Sequence, residues 1–92
     1  MFTKLGPQSA RHSSGYHVYI AGRELAGYED DHVKATLGAD FMCGLVPLYV
    51  RDFKLKLKGR SELSQAPSRV EITARMRQGF AFLGVNTEEV DH

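Results

Sequence analysis

Residues 50–59 read Val-Arg-Asp-Phe-Lys-Leu-Lys-Leu-Lys-Gly, and this stretch decides the class of fold. Side chains alternate along it without a break. One set is Arg51, Phe53, Leu55 and Leu57, and the other is Asp52, Lys54, Lys56 and Lys58. An alternation of period two, with one mainly apolar and one charged set, predicts a strand that buries one face and exposes the other.

Working outward, the segment from Tyr16 to Ile20 also alternates and is rich in aromatic and β-branched residues, which predicts a second strand. A turn at 21–23 and a return strand at 24–26 follow. Residues 32–37 fit either a strand or a short helix capped by Asp30 or Asp31. The fold class is therefore α+β and β-rich: a small antiparallel sheet of four to six short strands with at most one or two short helices.

The segment 69–83 allows two interpretations. Nine residues from Arg69 to Arg77 alternate without exception, which favours a strand, with another strand at 80–85. The rival is a helix. Ser68 and Glu71 fit a capping box, an apolar stripe falls on one helical face, and Gly84 stands where a helix would end. We expect the strand and keep the helix as the alternative.

The chain has 92 residues, which is the size of one domain. Residues 1–15 are punctuated by Gly-Pro and Ser-Ser-Gly and are expected to form a flexible N-terminal arm. Residues 16–85 are the compact domain, and residues 86–92 are a short acidic C-terminal tail.

Composition excludes several classes of protein. Twelve Lys and Arg against eleven Asp and Glu leave a formal charge of +1, so the chain is neither a basic tail nor an acidic solvating protein. Cys43 is the one cysteine, so no intramolecular disulfide can form, and its apolar neighbours predict a buried thiol. The start of the chain lacks the apolar core of a signal peptide, and the apolar run 41–50 is about half a membrane span. We expect a soluble cytoplasmic protein without membrane contact.

No catalytic signature, metal-ligand spacing or phosphate-binding glycine motif occurs in the sequence. Serines fall in segments predicted to be loops, where they serve turns. The acidic triplet Glu29-Asp30-Asp31 is typical of a solvated loop. We therefore predict neither an enzyme, nor a metal site, nor a cofactor.

The one feature of the sequence that points to a function is the distribution of charge along the chain. Residues 51–77 carry eight positive and three negative side chains, a net +5, so the remainder carries −4. A hairpin through 59–68 would place the cations on one solvent face, which is suited to an anionic partner. The candidate binding residues are Lys54, Lys56, Lys58, Arg60, Arg75 and Arg77. The alternative is that these lysines only prevent edge-to-edge aggregation of strands.

One local pattern resembles a known motif. Gly79-Phe80-Ala81-Phe82-Leu83 is similar to the core of the RNP1 strand of RNA-recognition motifs, and residues 48–53 are similar to its RNP2 companion. The likeness implies strand aromatics that stack on bases. It covers about fourteen residues and departs from the motif at Gln78 and Val85. We assign no family and expect Phe80 and Phe82 to be core residues.

These observations predict a small non-enzymatic protein that docks through a basic face onto nucleic acid or a nucleoprotein complex. It would serve as a regulator or inhibitor of the phage or mobile-element type. The alternative is a protein-protein interaction module, immunity-like or self-associating as a homodimer, that uses the apolar stretch 41–50.

Overall fold

The structure is a computed structural model that describes residues 1–91. It contains one seven-stranded sheet, one α-helix and a 3-10 turn at Leu63–Gln65. The elements are β1 Phe2–Gly6, β2 Ser9–His12, β3 His17–Gly22, β4 Leu25–Glu29, β5 Val33–Ala39, β6 Leu45–Leu57, α1 Arg69–Phe82 and β7 Asn86–Val90. The β-rich class with one helix is confirmed, but the count of four to six strands is too low.

The strands lie in the sheet in chain order. Every neighbouring pair from β1 to β6 is antiparallel, whereas β7 runs parallel to β6. A parallel neighbour needs a long crossover connection, and α1 supplies it between these two strands. The alternation at 50–59 is confirmed as part of β6, and the ambiguous segment 32–37 lies mostly in strand β5.

The segment expected to be a flexible arm holds strands β1 and β2 instead. Phe2 accounts for much of this order, because its ring packs edge-on against Tyr16 at 5.9 Å and stacks with Phe82 at 5.7 Å. The terminal amine also donates to Ser13 Oγ at 3.0 Å. Most of the expected acidic tail is likewise a strand, β7, while its last residue lies outside the described residues.

The expectation of strands at 69–77 and 80–85 is wrong, because Arg69–Phe82 is a helix. Ser68 caps it, accepting a hydrogen bond from the backbone N–H of Glu71 at 3.1 Å, and Gly84 follows its end with φ +82°. The period-two alternation of residues 69–77 does not match the pattern of burial, because Val70, which belongs to its apolar set, is 73% exposed. The stripe that is buried has helical spacing: Ile72, Met76, Gly79 and Phe80.

This result also removes the likeness to an RNP1 strand, because the segment 79–83 lies at the end of α1. Phe80 is a core residue, as expected, and it meets Phe41 edge-on at 5.4 Å. The same expectation is wrong for Phe82, which is 49% exposed and stacks with Phe2 at the edge of the sheet.

The sheet curls around α1 into a half-barrel. Across seven strands a flat sheet would measure about 29 Å at its usual strand spacing, more than twice the width of a helix. Yet both edges reach α1: Phe2 of β1 contacts Phe82, and Arg77 donates to the backbone carbonyl of Thr87 in β7 at 3.0 Å. The face toward α1 is therefore concave, and the opposite face, which we call the open face, is convex.

The core lies between the concave face and the helix. Its largest fully buried side chains include Tyr28, Leu37, Leu48, Met76 and Phe80. No helix within residues 1–91 combines the length and apolarity needed to cross a membrane.

Candidate functional site

Two rows of side chains cross the open face from strand to strand. Residues that are direct partners in neighbouring strands project from the same face of a sheet. Register therefore defines the first row as Arg11, His17, Glu29, Lys34 and Lys56. The second row is Ser9, Tyr19, Gly27, Thr36 and Lys54. The residues between them in each strand, such as Val18, Tyr28 and Ala35, are buried in the core, so the rows face away from α1.

The rows are rich in positive charge. Lys34 and Lys56 are direct cross-strand partners, a like-charge pair that weakens a sheet. Both are exposed, as is Lys54. Among residues 1–91, no carboxylate forms an ion pair with these three amines. The positive charge on this part of the open face is thus available to a partner.

Glu29 is the carboxylate within the rows, and it is already engaged. Lys58, which follows β6 on the same side, forms an ion pair with it, and His17 Nε2 lies 3.9 Å away. The hydrogen bond from Lys58 holds the pKa of Glu29 below its usual value. Burial lowers the pKa of His17, although Glu29 opposes this, so the imidazole is neutral at neutral pH.

Strand β3 contributes an aromatic pair to the rows. The rings of His17 and Tyr19 stack with centroids 5.2 Å apart and planes 28° from parallel. The Tyr19 ring covers Gly27 on the next strand: a Cβ on Gly27 would lie less than 3.0 Å from three ring carbons. One side of the tyrosine ring is therefore held against backbone, and the ring remains partly exposed.

An acidic corner bounds the basic surface. Glu24, Asp40 and Asp52 line a small cavity beside Gly38, at the end of β5 farthest from Lys34. The Asp52 side chain occupies the space above Gly38 on the open face. No group of three or more His, Cys, Asp or Glu within residues 1–91 is arranged to hold a metal ion.

The structure divides the six residues proposed from sequence. Lys54 and Lys56 lie in the rows, Lys58 lies beside them in its pair with Glu29, and Arg60 is exposed in the turn that follows β6. Arg75 and Arg77 lie on α1, on the other side of the sheet. The hairpin that was expected to place all six on one face does not form, because the residues predicted to be its second strand belong to helix α1.

Both helix arginines are engaged within the protein. Arg75 donates to the Tyr28 hydroxyl at 2.7 Å, pairs with Glu71 at 3.0 Å and lies 4.7 Å from the centre of the Tyr16 ring. The Tyr28 hydroxyl in turn donates to Asp30 at 2.7 Å. Arg75 thereby ties the helix to the β4–β5 turn.

Arg77 has a similar role at the sheet edge. It donates to Thr87 Oγ1 at 3.2 Å and pairs with Glu89 at 3.2 Å, so it fixes β7 against the helix. Neither helix arginine is therefore a free cation.

Sequence reasoning missed Arg11, His17, Tyr19 and Lys34 as members of the face. The alternation at 16–20 already separated His17 and Tyr19 from the apolar set, but nothing in one sequence supplies the cross-strand register that joins them to the lysines. Arg11 lies in residues 1–15, which were predicted to form a flexible arm.

The reading of the lysines as protection against aggregation also has a structural basis. Strand β7 pairs only with residues 45–49 of β6, and β5 pairs with 53–57 from the other side. Lys54 and Lys56 therefore lie on a stretch of β6 whose outer edge is unpaired within the described sheet, a place where charge discourages strand addition.

A separate apolar surface surrounds the start of β6. Met42 is 73% and Leu45 52% exposed, next to a groove of about 520 Å³ lined by Ile20, Phe41, Val46 and Val85 among others. The expectation of a buried Cys43 is wrong, because the loop before β6 carries it to the surface. Its thiol donates to Asp40 at 3.4 Å, and this contact raises the pKa of Cys43.

Comparison of the chain with protein-family models, with curated proteins and with solved structures finds no match.

Proposed function

We propose that this protein binds nucleic acid through the open face of its sheet. The observation that carries the proposal is the pair of cross-strand rows, in which Arg11 lies on one side of the His17–Tyr19 pair and Lys34, Lys54 and Lys56 lie on the other. Clustered Lys and Arg side chains attract phosphates and release counterions from them on binding. Within the rows, one carboxylate, Glu29, opposes these cations.

Protection of a sheet edge explains only part of this arrangement. It accounts for Lys54 and Lys56, which lie beside an unpaired edge of β6. It does not account for Arg11 and Lys34, because β2 and β5 each have a partner on both sides. The direct opposition of Lys34 and Lys56 carries a cost in stability, which a bound anion would relieve.

A protein of this kind acts by occupancy. It would cover a short stretch of nucleic acid, alone or within a nucleoprotein complex, and so serve as a regulator or inhibitor without chemistry of its own. The small size of the domain and the exposure of the basic rows on one face favour this mode of action.

The test compares two triple variants with the same change in net charge. Lys34→Gln, Lys54→Gln and Lys56→Gln together neutralise the open face. Replacing three exposed cations outside the rows, Lys4, Arg23 and Arg69, with Gln is the matched control. Surface changes of this kind leave stability within about 0.5 kcal/mol, so both variants should fold.

Binding of labelled oligonucleotides is measured by fluorescence anisotropy over roughly 50–200 mM salt. The open-face variant should lower the slope of log K against log salt by about 2 for a single strand, and the control should leave it nearly unchanged. Absence of binding by the wild type at the lowest salt refutes the proposal. Equal losses in the two variants refute the assignment to the open face.

The second candidate function is a protein-protein interaction module, including self-association as a homodimer. The exposed Met42 and Leu45 beside the apolar groove favour it. Sedimentation velocity over a range of concentrations tests self-association, with Met42→Ser and Leu45→Ser as the perturbation. A monomer at all concentrations contradicts the homodimer.

A further inference from the structure

We infer that the nucleic acid bound by the open face is single-stranded, with a base stacked on the aromatic pair Tyr19 and His17. This inference rests on the proposed function and specifies its ligand. Three features carry it: the position of the aromatic pair, the convexity of the face, and the placement of cations on both sides of the rings.

The aromatic pair has the geometry of a stacking platform. Because Gly27 has no side chain, the Tyr19 ring lies across the strand beside it instead of standing away from the sheet. The neighbouring His17 ring stacks against it with centroids 5.2 Å apart, so the two rings form one aromatic cluster on the open face. Base stacking on aromatic side chains is the main sequence-tolerant contact of proteins that bind single strands.

The curvature of the sheet favours a flexible ligand. The open face is the convex side of a sheet that wraps around α1. A duplex is also convex and stays straight over about 150 base pairs, so it would touch such a face along few phosphates. A single strand can follow the curve, and its unpaired bases are free to turn toward the rings.

The cations are placed to hold a backbone that crosses the platform. At a strand spacing of about 4.8 Å, Arg11 lies one strand to one side of His17, and Lys34 lies two strands to the other side. Lys54 and Lys56 extend the same side by a further strand. Phosphates before and after a stacked base would thus both meet positive charge.

A purely structural role for Tyr19 makes a different prediction. An aromatic ring laid over a cross-strand glycine also shields the backbone there and stabilises the sheet. If that were its whole purpose, removing the ring would lower stability and leave binding unchanged in the protein that remains folded. The variants must therefore be compared in binding as well as in stability.

The experiment uses three fluorescent ligands of about 20 nucleotides: oligothymidylate, an abasic strand of the same length, and a duplex. The abasic strand keeps the phosphates and lacks the bases, so the difference between the two single strands measures stacking. The proteins are the wild type, Tyr19→Leu, and Tyr19→Phe, which retains the ring. Thermal unfolding of each variant establishes that it is folded at the temperature of the assay.

We expect the wild type to prefer oligothymidylate over both other ligands. Tyr19→Leu should weaken binding of oligothymidylate about 5-fold or more, to the level of the abasic strand, while the salt slope stays the same. Tyr19→Phe should remain within about 2-fold of the wild type, because the stacking ring persists.

Two results overturn the inference alone. One is that the wild type binds the duplex as tightly as oligothymidylate, or more tightly. The other is that the wild type binds oligothymidylate no more tightly than the abasic strand and that Tyr19→Leu leaves both affinities unchanged. In both, lysine-dependent binding persists and the proposed function stands. If none of the three ligands binds at low salt, the proposed function and this inference both fall.

Discussion

The helix approaches the sheet closely at Gly79, and the variant Gly79→Ala tests this contact. Gly79 is buried in α1 against Val18 of β3, and its φ is not in the left-handed region. Helix propensity alone predicts that alanine stabilises the protein by about 1 kcal/mol. The structure predicts the opposite sign.

A methyl carbon at Gly79 would lie less than 3.0 Å from Val18 Cγ2, whereas ordinary contact begins at 3.4 Å. The same carbon would lie 3.3 Å from both Val18 Cβ and a ring carbon of Phe2, so it has no free direction. Val18 is fully buried and cannot rotate into solvent. Overpacking costs about 1–3 kcal/mol, and a contact under 3.0 Å with a fully buried side chain places this variant at about 2–3 kcal/mol. Because alanine also gains about 1 kcal/mol of helix propensity, we expect Gly79→Ala to lower the free energy of unfolding by a net of roughly 1–2 kcal/mol.

Urea and thermal unfolding measure the change, which corresponds to a fall in Tm of roughly 4–16 °C for a domain of this size. The background Val18→Ala provides the control, because it removes the methyl groups that the new Cβ would meet. In that background the shortest contact is gone and the two neighbours at 3.3 Å need to move only slightly, so Gly79→Ala should stabilise the protein by up to about 1 kcal/mol and the sign of the effect reverses. Stabilisation in the wild-type background would refute the close approach.

Three more variants test single contacts. Arg75→Met removes the hydrogen bond to the Tyr28 hydroxyl and should lower the free energy of unfolding by about 1–2 kcal/mol in a urea titration; an unchanged value would make Arg75 a free surface cation. Burial raises the pKa of Asp30, but hydrogen bonds from Tyr28 and two backbone N–H groups outweigh it, so the pKa is lowered. The stability that this carboxylate contributes is present above about pH 4 and is lost as pH falls through the lowered pKa, and unfolding curves of Asp30→Asn should lack that acid-dependent part. Glu29→Gln releases Lys58 from its ion pair, so oligonucleotide affinity at low salt should rise and the salt slope should steepen by about 0.7; weaker binding would contradict the proposed interface.

The strands were predictable where one face is buried and the other solvated. The segment 50–59 alternates because Phe53, Leu55 and Leu57 lie on the side of α1 while the lysines between them lie on the open face. The helix was harder to predict, because residues 69–77 fit both a strand and a helix. Residues 69–77 satisfy a period of two by accident, and the capping by Ser68 together with the burial of Ile72 and Met76 decided the outcome. The order of residues 2–12 escaped prediction because it depends on Phe2 reaching the helix across the curled sheet.

The candidate site shows how charge in a sequence differs from charge on a surface. The window 51–77 counts Arg75 and Arg77 as part of a basic face, but Arg75 is paired with Glu71 and Arg77 with Glu89. Arg11 and Lys34 lie outside that window in a part of the chain with net charge −4, and register brings both to the lysines of β6. An alternating strand fixes which side a residue faces, and only the pairing of strands fixes its neighbours.

The same register gives the open face its specific character. A charge count treats all cations as equal, whereas the rows place one of them on one side of the His17–Tyr19 pair and three on the other, with the acids Glu24, Asp40 and Asp52 at one corner of the face. Solubility requires only that charge be exposed, and it does not require aromatic rings between the charged side chains. Binding of a single strand requires both, because phosphates need the cations and bases need the rings. The two sets of variants therefore test the two parts of this surface separately. The triple lysine variant should lose binding of oligothymidylate, and Tyr19→Leu should lose the preference for oligothymidylate over the abasic strand.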